Sequence, residues 1–253
     1  MDLFSQNDSE QAIWLAYDGD CDGNSVPDVD EIGIMTLKGD GDFRSPESIE
    51  LLKQADIVVT NPPFSLFREY VGQLIEYDKK FIIVGPRSAL TYKEMFPLVR
   101  DNKLWLGHGF SAGNAYFAAP NPSDYAKGVY DPKTGLVKFR NVCWFTNLEI
   151  AKRREEIVLF RTYDPEGYRT YDNYIAINVD RVDEIPSDYT GVMGVPITFL
   201  DKHNPDQFEI IGLLAGNIKG LAGIPSATDK DGPYIEGKLK YGRILIRRRE
   251  NSP

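Results

Sequence analysis

The tetrapeptide Asn61-Pro62-Pro63-Phe64 is the segment whose residue types and spacing indicate chemistry most directly. Consecutive prolines fix the backbone and lack N–H donors, so Pro62 offers only its carbonyl oxygen. The Asn61 side-chain amide adds a second carbonyl. Two converging acceptors can hold both hydrogens of an exocyclic amine and expose the nitrogen lone pair, while Phe64 stacks on the ring. The motif therefore predicts an amine pocket that works by positioning and electrostatics.

The surroundings of the tetrapeptide decide whether it is more than a turn. DIVVT, at residues 56–60, is an apolar β-branched run typical of a strand buried on both faces. Residues 65–77 carry apolar side chains at helical spacing. Ligands of open α/β sheets bind where loops leave the carboxyl ends of strands. This context favours a binding function, but leaves three amines open: adenine N6, guanine N2 of rRNA and the amide of a protein glutamine.

Helix and strand patterns alternate between residues 45 and 106. Ser45 and Pro46 are typical of a helix start, as the cap and the first helical residue. This alternation predicts an open, mainly parallel sheet with helices on both faces. The predicted elements are a helix to about residue 54, strands at 56–60, 81–84 and 104–106, and helices at 65–77 and 91–102.

The N-terminal part predicts a hairpin, with strands at residues 12–17 and 31–37 and an Asp- and Gly-rich loop between them. The loop imitates the start of a calcium site. However, the twelfth position counted from Asp18 is Val29, where a bidentate Glu is required. We therefore favour a turn. His108 and His203 stand alone, so we expect them to be structural or solvent-facing and expect no metal site.

The sequence changes character from about residue 120, where turn residues multiply. We predict an α/β part, residues 1–150, and a strand- and loop-rich C-terminal region, residues 151–253. Residues 111–117 predict either a loop at the mouth of the pocket or a tight connection before a core strand. Trp105 and Trp144 lie in strand patterns and are predicted to be core residues. The later predicted strands are at residues 115–118, 142–146 and 157–160, and short apolar runs follow at residues 195–200, 208–214 and 241–246.

Composition excludes several classes of protein. The chain of 253 residues is 42% hydrophobic and 26% charged, as in an ordinary globular protein. No apolar run reaches the roughly 18 residues of a membrane span, and the acidic N-terminus is not a secretory signal. Cys21 and Cys143 lack metal-site or disulfide-framework spacing. We therefore expect a reduced, cytoplasmic location and no membrane partner.

The charge is segregated along the chain. A net charge of −9 argues against a generic nucleic-acid coat. The tail from residue 238 to 249 nevertheless collects cations and contains no acid. This pattern predicts either a basic strip that faces phosphates or a solvated edge hairpin guarded by cations, and favours neither. The candidate DNA-contacting residues are Lys238, Lys240, Arg243 and Arg247.

Several separated blocks resemble the EcoRI-type adenine-specific DNA methyltransferase family. They are GDGDFRSPESIELLKQADIVVTNPPFSLFREYV, KKFIIVGP, TYKEMFPLV, NKLWLG, NVCWFTNL and GVMGVPITFLDKHNPDQFEIIG. The resemblance runs from about residue 10 to the C-terminus. It implies methyl transfer from S-adenosyl-L-methionine to adenine N6 of duplex DNA, with the base flipped out of the stack. It also implies a restriction-modification, phage or orphan setting, in which a cognate restriction endonuclease acts without direct contact.

The resemblance assigns roles to residues and regions. Asn61, Pro62, Pro63 and Phe64 match the family's catalytic tetrapeptide. Asp42 and Phe43 lie one helix–strand unit earlier, and this position implies that they contact the cofactor adenine. Asn61 is also assigned to the cofactor site. The implied fold is a Rossmann-like methyltransferase sheet followed by the strand- and loop-rich region, for which DNA target recognition is the candidate role.

One departure from the family affects the expected activity. Family members look longer at the N-terminus, where they carry the first sheet strand and the loop for the methionine part of the cofactor. We therefore expect a sheet that is incomplete at the N-terminus and a cofactor site that is only partly present. The alternative function is a non-catalytic DNA-binding remnant.

Overall fold

The computed structural model describes residues 12–28, 30–107, 114–118, 128–216 and 219–249. The helices are α1 (Pro46–Gln54), α2 (Phe67–Glu76) and α3 (Phe96–Arg100). Within the described residues, no helix is both long and apolar enough to cross a membrane. The strands are β1 (Ile13–Tyr17), β2 (Ile32–Thr36), β3 (Ile57–Thr60), β4 (Lys80–Pro86), β5 (Trp105–Leu106), β6 (Asn114–Ala118), β7 (Tyr130–Asp131), β8 (Leu136–Arg140), β9 (Val142–Thr146), β10 (Ile177–Asn178), β11 (Met193–Pro196), β12 (Phe208–Leu214), β13 (Tyr234–Ile235), β14 (Lys238–Leu239) and β15 (Arg243–Arg248).

The predicted N-terminal hairpin is confirmed, because β1 and β2 pair antiparallel as a two-stranded sheet. The loop between them is a turn held by Asp20, whose carboxylate accepts from the Gly23 and Ser25 amides at 2.6 and 2.7 Å. One carboxylate oxygen from each of Asp20, Asp22 and Glu31 lies within 4.8 Å of the other two. The hairpin is thus organised locally, by carboxylates that satisfy the turn's own backbone.

The start of α1 is the one that the sequence predicts. The Ser45 hydroxyl accepts from the Ser48 amide at 3.2 Å, and Pro46 occupies the first helical turn. An N-cap oxygen satisfies a backbone donor that has no partner inside the helix, and proline there removes another. Both signals are local, so the helix bounds follow from the sequence.

The central sheet has the strand order β3-β4-β9-β5. β3 and β4 are parallel, whereas β9 is antiparallel to both of its neighbours. The mixed α/β class is confirmed. β3, β4 and β5 run in the same direction, as a mainly parallel sheet requires, whereas β9 lies between β4 and β5 and runs opposite to them.

β3 lies at the edge of this sheet, with β4 as its partner among the described strands. Ile57 and Val59 are 51% and 66% exposed, whereas Phe81 and Ile83 on β4 are fully buried. The expectation that β3 is buried on both faces is therefore wrong. Its apolar β-branched composition resembles that of an interior strand, and composition alone does not distinguish an edge from a centre.

One hydrophobic core crosses residue 150. It joins Phe67 and Val71 of α2 to Phe145 of β9, and continues through Phe199 to Ile246 of β15. The division of the chain at residue 150 stays a prediction.

A second four-stranded sheet, in the order β10-β11-β15-β12, forms the C-terminal part. β15 lies between β11 and β12 and is antiparallel to both. The alternative of a solvated edge hairpin is therefore wrong for Arg243–Arg248. Lys238–Leu239, by contrast, pairs with Tyr234–Ile235 in a small separate hairpin.

Some C-terminal elements differ from the prediction. Residues 157–160 form no strand, because the Gln207 side chain binds both backbone groups of Ile157, at 2.9 and 2.8 Å. Ile197–Asp201 is a 3-10 turn that follows β11. The predicted helix at residues 91–102 is reduced to α3, with Pro97 in its first turn. The Gln207 side chain at Ile157 and Pro97 in α3 thus interrupt the regular backbone pairing.

Candidate active site

The tetrapeptide leaves β3 at the carboxyl end of the parallel pair, as the sequence predicts. Thr60, the last residue of β3, is in register with Ile83 of β4. Phe64–Leu66 then forms a 3-10 turn that leads into α2. The Pro63 carbonyl accepts from the Leu66 amide at 3.0 Å, so it is used in holding this turn. The loop is thereby fixed between a strand end and a helix start.

The remaining acceptors of the loop form no hydrogen bond with the described residues. Asn61 is exposed, and neither its side chain nor the Pro62 carbonyl has a hydrogen-bond partner among the described residues. The Phe64 ring is 45% exposed. The loop therefore exposes the Asn61 amide and the Phe64 ring, while the unpartnered Pro62 carbonyl belongs to a buried residue.

Gly85 allows the helix after the loop to pack against the sheet. A Cβ atom at this position would overlap the fully buried Phe67 ring, at the first residue of α2. Gly85 lies near the carboxyl end of β4, beside the end of β3. The position of α2, and with it the C-terminal side of the tetrapeptide, depends on this close approach of a ring to a strand.

Asp42 lies in a turn stabilised by its neighbour Arg44. The guanidinium donates to the two Asp42 oxygens at 2.9 and 2.6 Å, and the Arg44 amide donates at 2.8 Å. These hydrogen bonds and the adjacent cation lower the pKa of Asp42 to about 2. The carboxylate is therefore ionised at neutral pH, and it is an acceptor only.

Helix α2 connects this turn to the tetrapeptide. The Phe43 ring packs edge-on against Tyr70 with centroids 5.0 Å apart, and Arg44 lies 3.3 Å from Glu69. Gln73 donates to the Phe43 carbonyl at 3.0 Å, while its own side-chain oxygen is buried without a partner among the described residues. The two predicted parts of the site are thus held by the same helix, and an unused acceptor lies beside Phe43.

Comparison with known proteins identifies the family. A family model described as "Adenine-specific methyltransferase EcoRI" matches residues 1–249. The chain belongs to this family. It is 47% identical to Type II methyltransferase M.EcoRI of Escherichia coli, over 86% of this chain and 65% of that protein. The chain therefore spans less than two thirds of the length of M.EcoRI.

Relatives from Mycoplasma match this chain over a larger share of their own length. Type II methyltransferase M.MgeORF184P of Mycoplasma genitalium is 36% identical, over 98% of this chain and 78% of that protein. Type II methyltransferase M.MpnI of Mycoplasma pneumoniae is 37% identical, over 90% of this chain and 76% of that protein. No solved structure matches significantly.

The basic residues predicted to contact DNA lie in different environments. Lys238 is exposed on β14, and Arg247 is half exposed at 3.9 Å from Glu209. Lys240 is partly buried after β14. Arg243 is 8% exposed and binds Asn178 and Asp180 at 3.1 and 3.0 Å. The Arg243 guanidinium is therefore buried and bound within the protein, whereas Lys238 and Arg247 are exposed.

The remaining candidates from the sequence are structural or lie outside the described residues. His203 is buried, as expected of a structural residue, and its Nε2 lies 3.0 Å from the Phe208 carbonyl. The Trp105 indole donates to the Leu148 carbonyl at 3.0 Å and stacks 3.9 Å below Arg153. His108 and the first residues of the predicted mouth loop, 111–113, are not described.

An ion pair that no sequence pattern indicates lies at the end of the sheet that carries the tetrapeptide. Arg87 follows β4 directly and binds both oxygens of Asp201, at 3.0 and 2.6 Å. Burial opposes the charge of Arg87, but the paired carboxylate outweighs it and raises the pKa of the guanidinium. The partners are far apart in sequence, so no local spacing could indicate the pair.

Proposed function

We propose that this protein transfers a methyl group from S-adenosyl-L-methionine to adenine N6 in duplex DNA. The observation that carries the proposal is the pair of unused acceptors, the Asn61 amide oxygen and the Pro62 carbonyl, at the carboxyl end of β3. The family's description as adenine-specific supports adenine over guanine or glutamine. Because N6 is paired inside the duplex, the adenine must be flipped out to reach this loop.

The tetrapeptide would act on the flipped base by orienting its amine. Asn61 and Pro62 accept one N6 hydrogen each, which directs the nitrogen lone pair away from the ring plane. Phe64 stacks on the base and holds it in place. The gain comes from positioning and from fixed dipoles, and no strong base is required.

The turn at Asp42 and Phe43 has groups that fit the adenine end of S-adenosyl-L-methionine. An ionised carboxylate and the unpartnered Gln73 oxygen can both accept from an amino group, and the Phe43 ring supplies an apolar surface beside them. We propose that these groups, together with Asn61, contact the cofactor. When bound, the cofactor supplies an activated methyl group on a sulfonium that is a good leaving group.

We also propose that the sheet containing β3 and β4 is a Rossmann-like methyltransferase sheet. Support comes from the parallel pairing of the two strands and from the ligand loop at their carboxyl ends. Lys238, Lys240 and Arg247 are proposed contacts with DNA phosphates, and residues 151–253 a target-recognition region. A cognate restriction endonuclease in the same system, without direct contact, is the expected setting.

Incubation with labelled cofactor and duplex DNA tests this function. We expect label in the DNA, and N6-methyladenine as the labelled nucleoside after complete digestion. Label in rRNA guanine or protein glutamine, with none in DNA, would contradict the proposal. A calorimetric titration with the cofactor separates the enzyme from a DNA-binding remnant, because a remnant would bind DNA in a salt-dependent manner without a cofactor isotherm.

A further inference from the structure

The strands β6, β8 and β7 form an antiparallel ribbon with two different faces. Cross-strand partners share a face. Tyr116 is paired with Lys138 and lies on the same face as Arg140, whereas Phe117 and Phe139 lie on the other. The two phenylalanines pack edge to face at 5.6 Å. One face therefore carries Tyr116, Lys138 and Arg140, with Asp131 of β7 opposite Leu136 on the same side, and the other face is apolar.

The ribbon starts at the carboxyl end of β4, which is the end of the sheet that carries the tetrapeptide. β9 follows β8 directly, and its first residue, Val142, is in register with Pro86 at the carboxyl end of β4. The Arg87 amide donates to the Asn141 carbonyl at 2.7 Å, which fixes the base of the ribbon there. β3 and β9 flank β4, so the tetrapeptide lies roughly 10 Å across the sheet from this base.

The cations of this face have no carboxylate partner among the residues that the structure describes. Most described arginines lie within 4.0 Å of a carboxylate, for example Arg44 with Asp42 and Arg181 with Asp183. Lys138 and Arg140 form no ion pair with any described residue. Lys138 instead lies 5.6 Å from the centroid of the half-exposed Tyr116 ring. In a chain with a net charge of −9, such a face is a local site for a polyanion.

We propose that the Tyr116–Lys138–Arg140 face of the ribbon contacts the backbone of duplex DNA beside the flipped base. This inference rests on the proposed function, because DNA bound at the tetrapeptide would be the polyanion that lies next to this face. Lys138 and Arg140 bind phosphates, and the Tyr116 ring packs against the sugar-phosphate backbone. The contacts orient the duplex and carry no sequence information.

Salt-dependent binding of the intact chain to a fluorescent DNA duplex tests the inference. For Lys138→Ala/Arg140→Ala, we expect weaker binding and a slope of log K against log salt that is smaller by about 2, because each phosphate contact contributes about 0.9. The KM for DNA rises while kcat stays the same. Lys138→Arg/Arg140→Lys retains the wild-type slope.

Lys80→Ala is the matched control. Lys80 is exposed at the amino end of β4, which is the end of the sheet opposite to the tetrapeptide. It forms no ion pair with a described residue. Its removal should leave the slope unchanged. A loss of slope in this control half that of the double variant, which removes twice the charge, would reduce the effect to net charge and overturn the inference, as would an unchanged slope in the double variant.

The failures of the two proposals are distinguishable. If the wild type methylates DNA and the double variant keeps the wild-type slope, the ribbon assignment fails and the proposed function stands. If the wild type neither binds nor methylates duplex DNA, both fail. A loss of slope with an RNA duplex of the same sequence, but not with DNA, would identify an RNA surface and overturn the inference. Thermal unfolding of each variant checks that its fold is retained.

Discussion

Asn61 tests the proposed pocket most directly, because its amide oxygen is one of the two proposed acceptors. Asn61→Ala should lower kcat by about 100-fold or more, as for loss of one fixed polar group in a preorganised site. Asn61 is exposed and has no partner among the described residues, so the thermal midpoint should stay close to that of the wild type. Single-turnover methylation measures the effect, and unchanged turnover would refute the role of Asn61.

Asn147→Ala is the control for removing an asparagine amide near the same sheet. Asn147 binds the backbone of Lys79 and Phe81 at 2.8 and 2.9 Å, at the amino end of β4 and away from the tetrapeptide. We expect it to cost about 1–3 kcal/mol of stability, because two partly buried backbone groups lose their partner. Turnover per folded molecule should be retained.

Phe64 tests the stacking half of the pocket. Phe64→Ala should weaken capture of the flipped base by about 1–3 kcal/mol, the range for a base stacked on an aromatic ring. A duplex with 2-aminopurine at the target adenine reports the flipped state by its fluorescence. Phe64→Tyr should keep the signal, and an unchanged signal in Phe64→Ala would rule out stacking. The ring is 45% exposed, so stability should change little.

At the scale of elements, the packing of α2 on β4 positions the tetrapeptide and the Asp42 turn together. Gly85→Ala would force a Cβ into the buried Phe67 ring, and overpacking of this kind costs about 1–3 kcal/mol. We also expect methyl transfer to fall, because Phe67 begins the helix that follows the loop. Denaturant unfolding and methylation assays measure the two effects. Wild-type behaviour in both would show that the ring can move without cost.

Gly72→Ala is the matched substitution in α2 itself. Gly72 lies inside the helix, and a Cβ there would meet nothing within 4 Å. Alanine in place of a helical glycine should therefore stabilise the protein by about 0.5–1 kcal/mol. Opposite signs for the two variants would separate the tight contact at Gly85 from a general effect of removing glycine, whereas destabilisation by both would contradict this account.

Local signals predicted part of these elements. The Ser45 cap, the helix α1 and the strand–loop–helix setting of Asn61 follow from neighbouring residues. The edge position of β3 does not, because it depends on which strands pair and not on the strand's own composition. The wrong strand at residues 157–160 has the same origin, since Gln207, far along the chain, satisfies the backbone of that segment.

The site divides in the same way. The acceptor pair follows from the types of Asn61 and Pro62 alone. The joining of the Asp42 turn to α2 depends on long-range contacts, the Phe43–Tyr70 packing and the Arg44–Glu69 pair, which single-sequence patterns do not contain. Charge patterning also ranked Arg243 with its exposed neighbours, because the tail's sequence does not reveal that Asp180 and Asn178 surround it.

At the scale of the whole molecule, the continuous core makes the stability of the α/β part depend on the C-terminal sheet. His203 lies in this connection, where its ring packs 5.5 Å from the Phe199 ring. The Phe208 carbonyl can only accept, so Nε2 carries the hydrogen in this contact. Burial, with Arg153 and Arg249 adding to it, lowers the pKa of His203 to about 4.

This lowered pKa predicts a loss of stability in acid. The unfolded chain binds a proton on His203 as the pH falls below about 6.5, while the folded protein does not bind it until about pH 4. Protonation therefore favours the unfolded state across that interval, by at most about 1.4 kcal/mol per pH unit. Above about pH 6.5 the contribution is constant.

His203→Gln isolates this contribution from that of the carboxylates, which titrate in the same range. Glutamine can donate to the Phe208 carbonyl but cannot be protonated. We expect the stability difference, wild type minus variant, to fall between pH 6.5 and pH 4 and to level off below, as followed by denaturant unfolding at fixed ionic strength. A difference independent of pH would mean that His203 is accessible to protons in the fold. The connection between the two sheets would then be open to water, rather than part of one closed core.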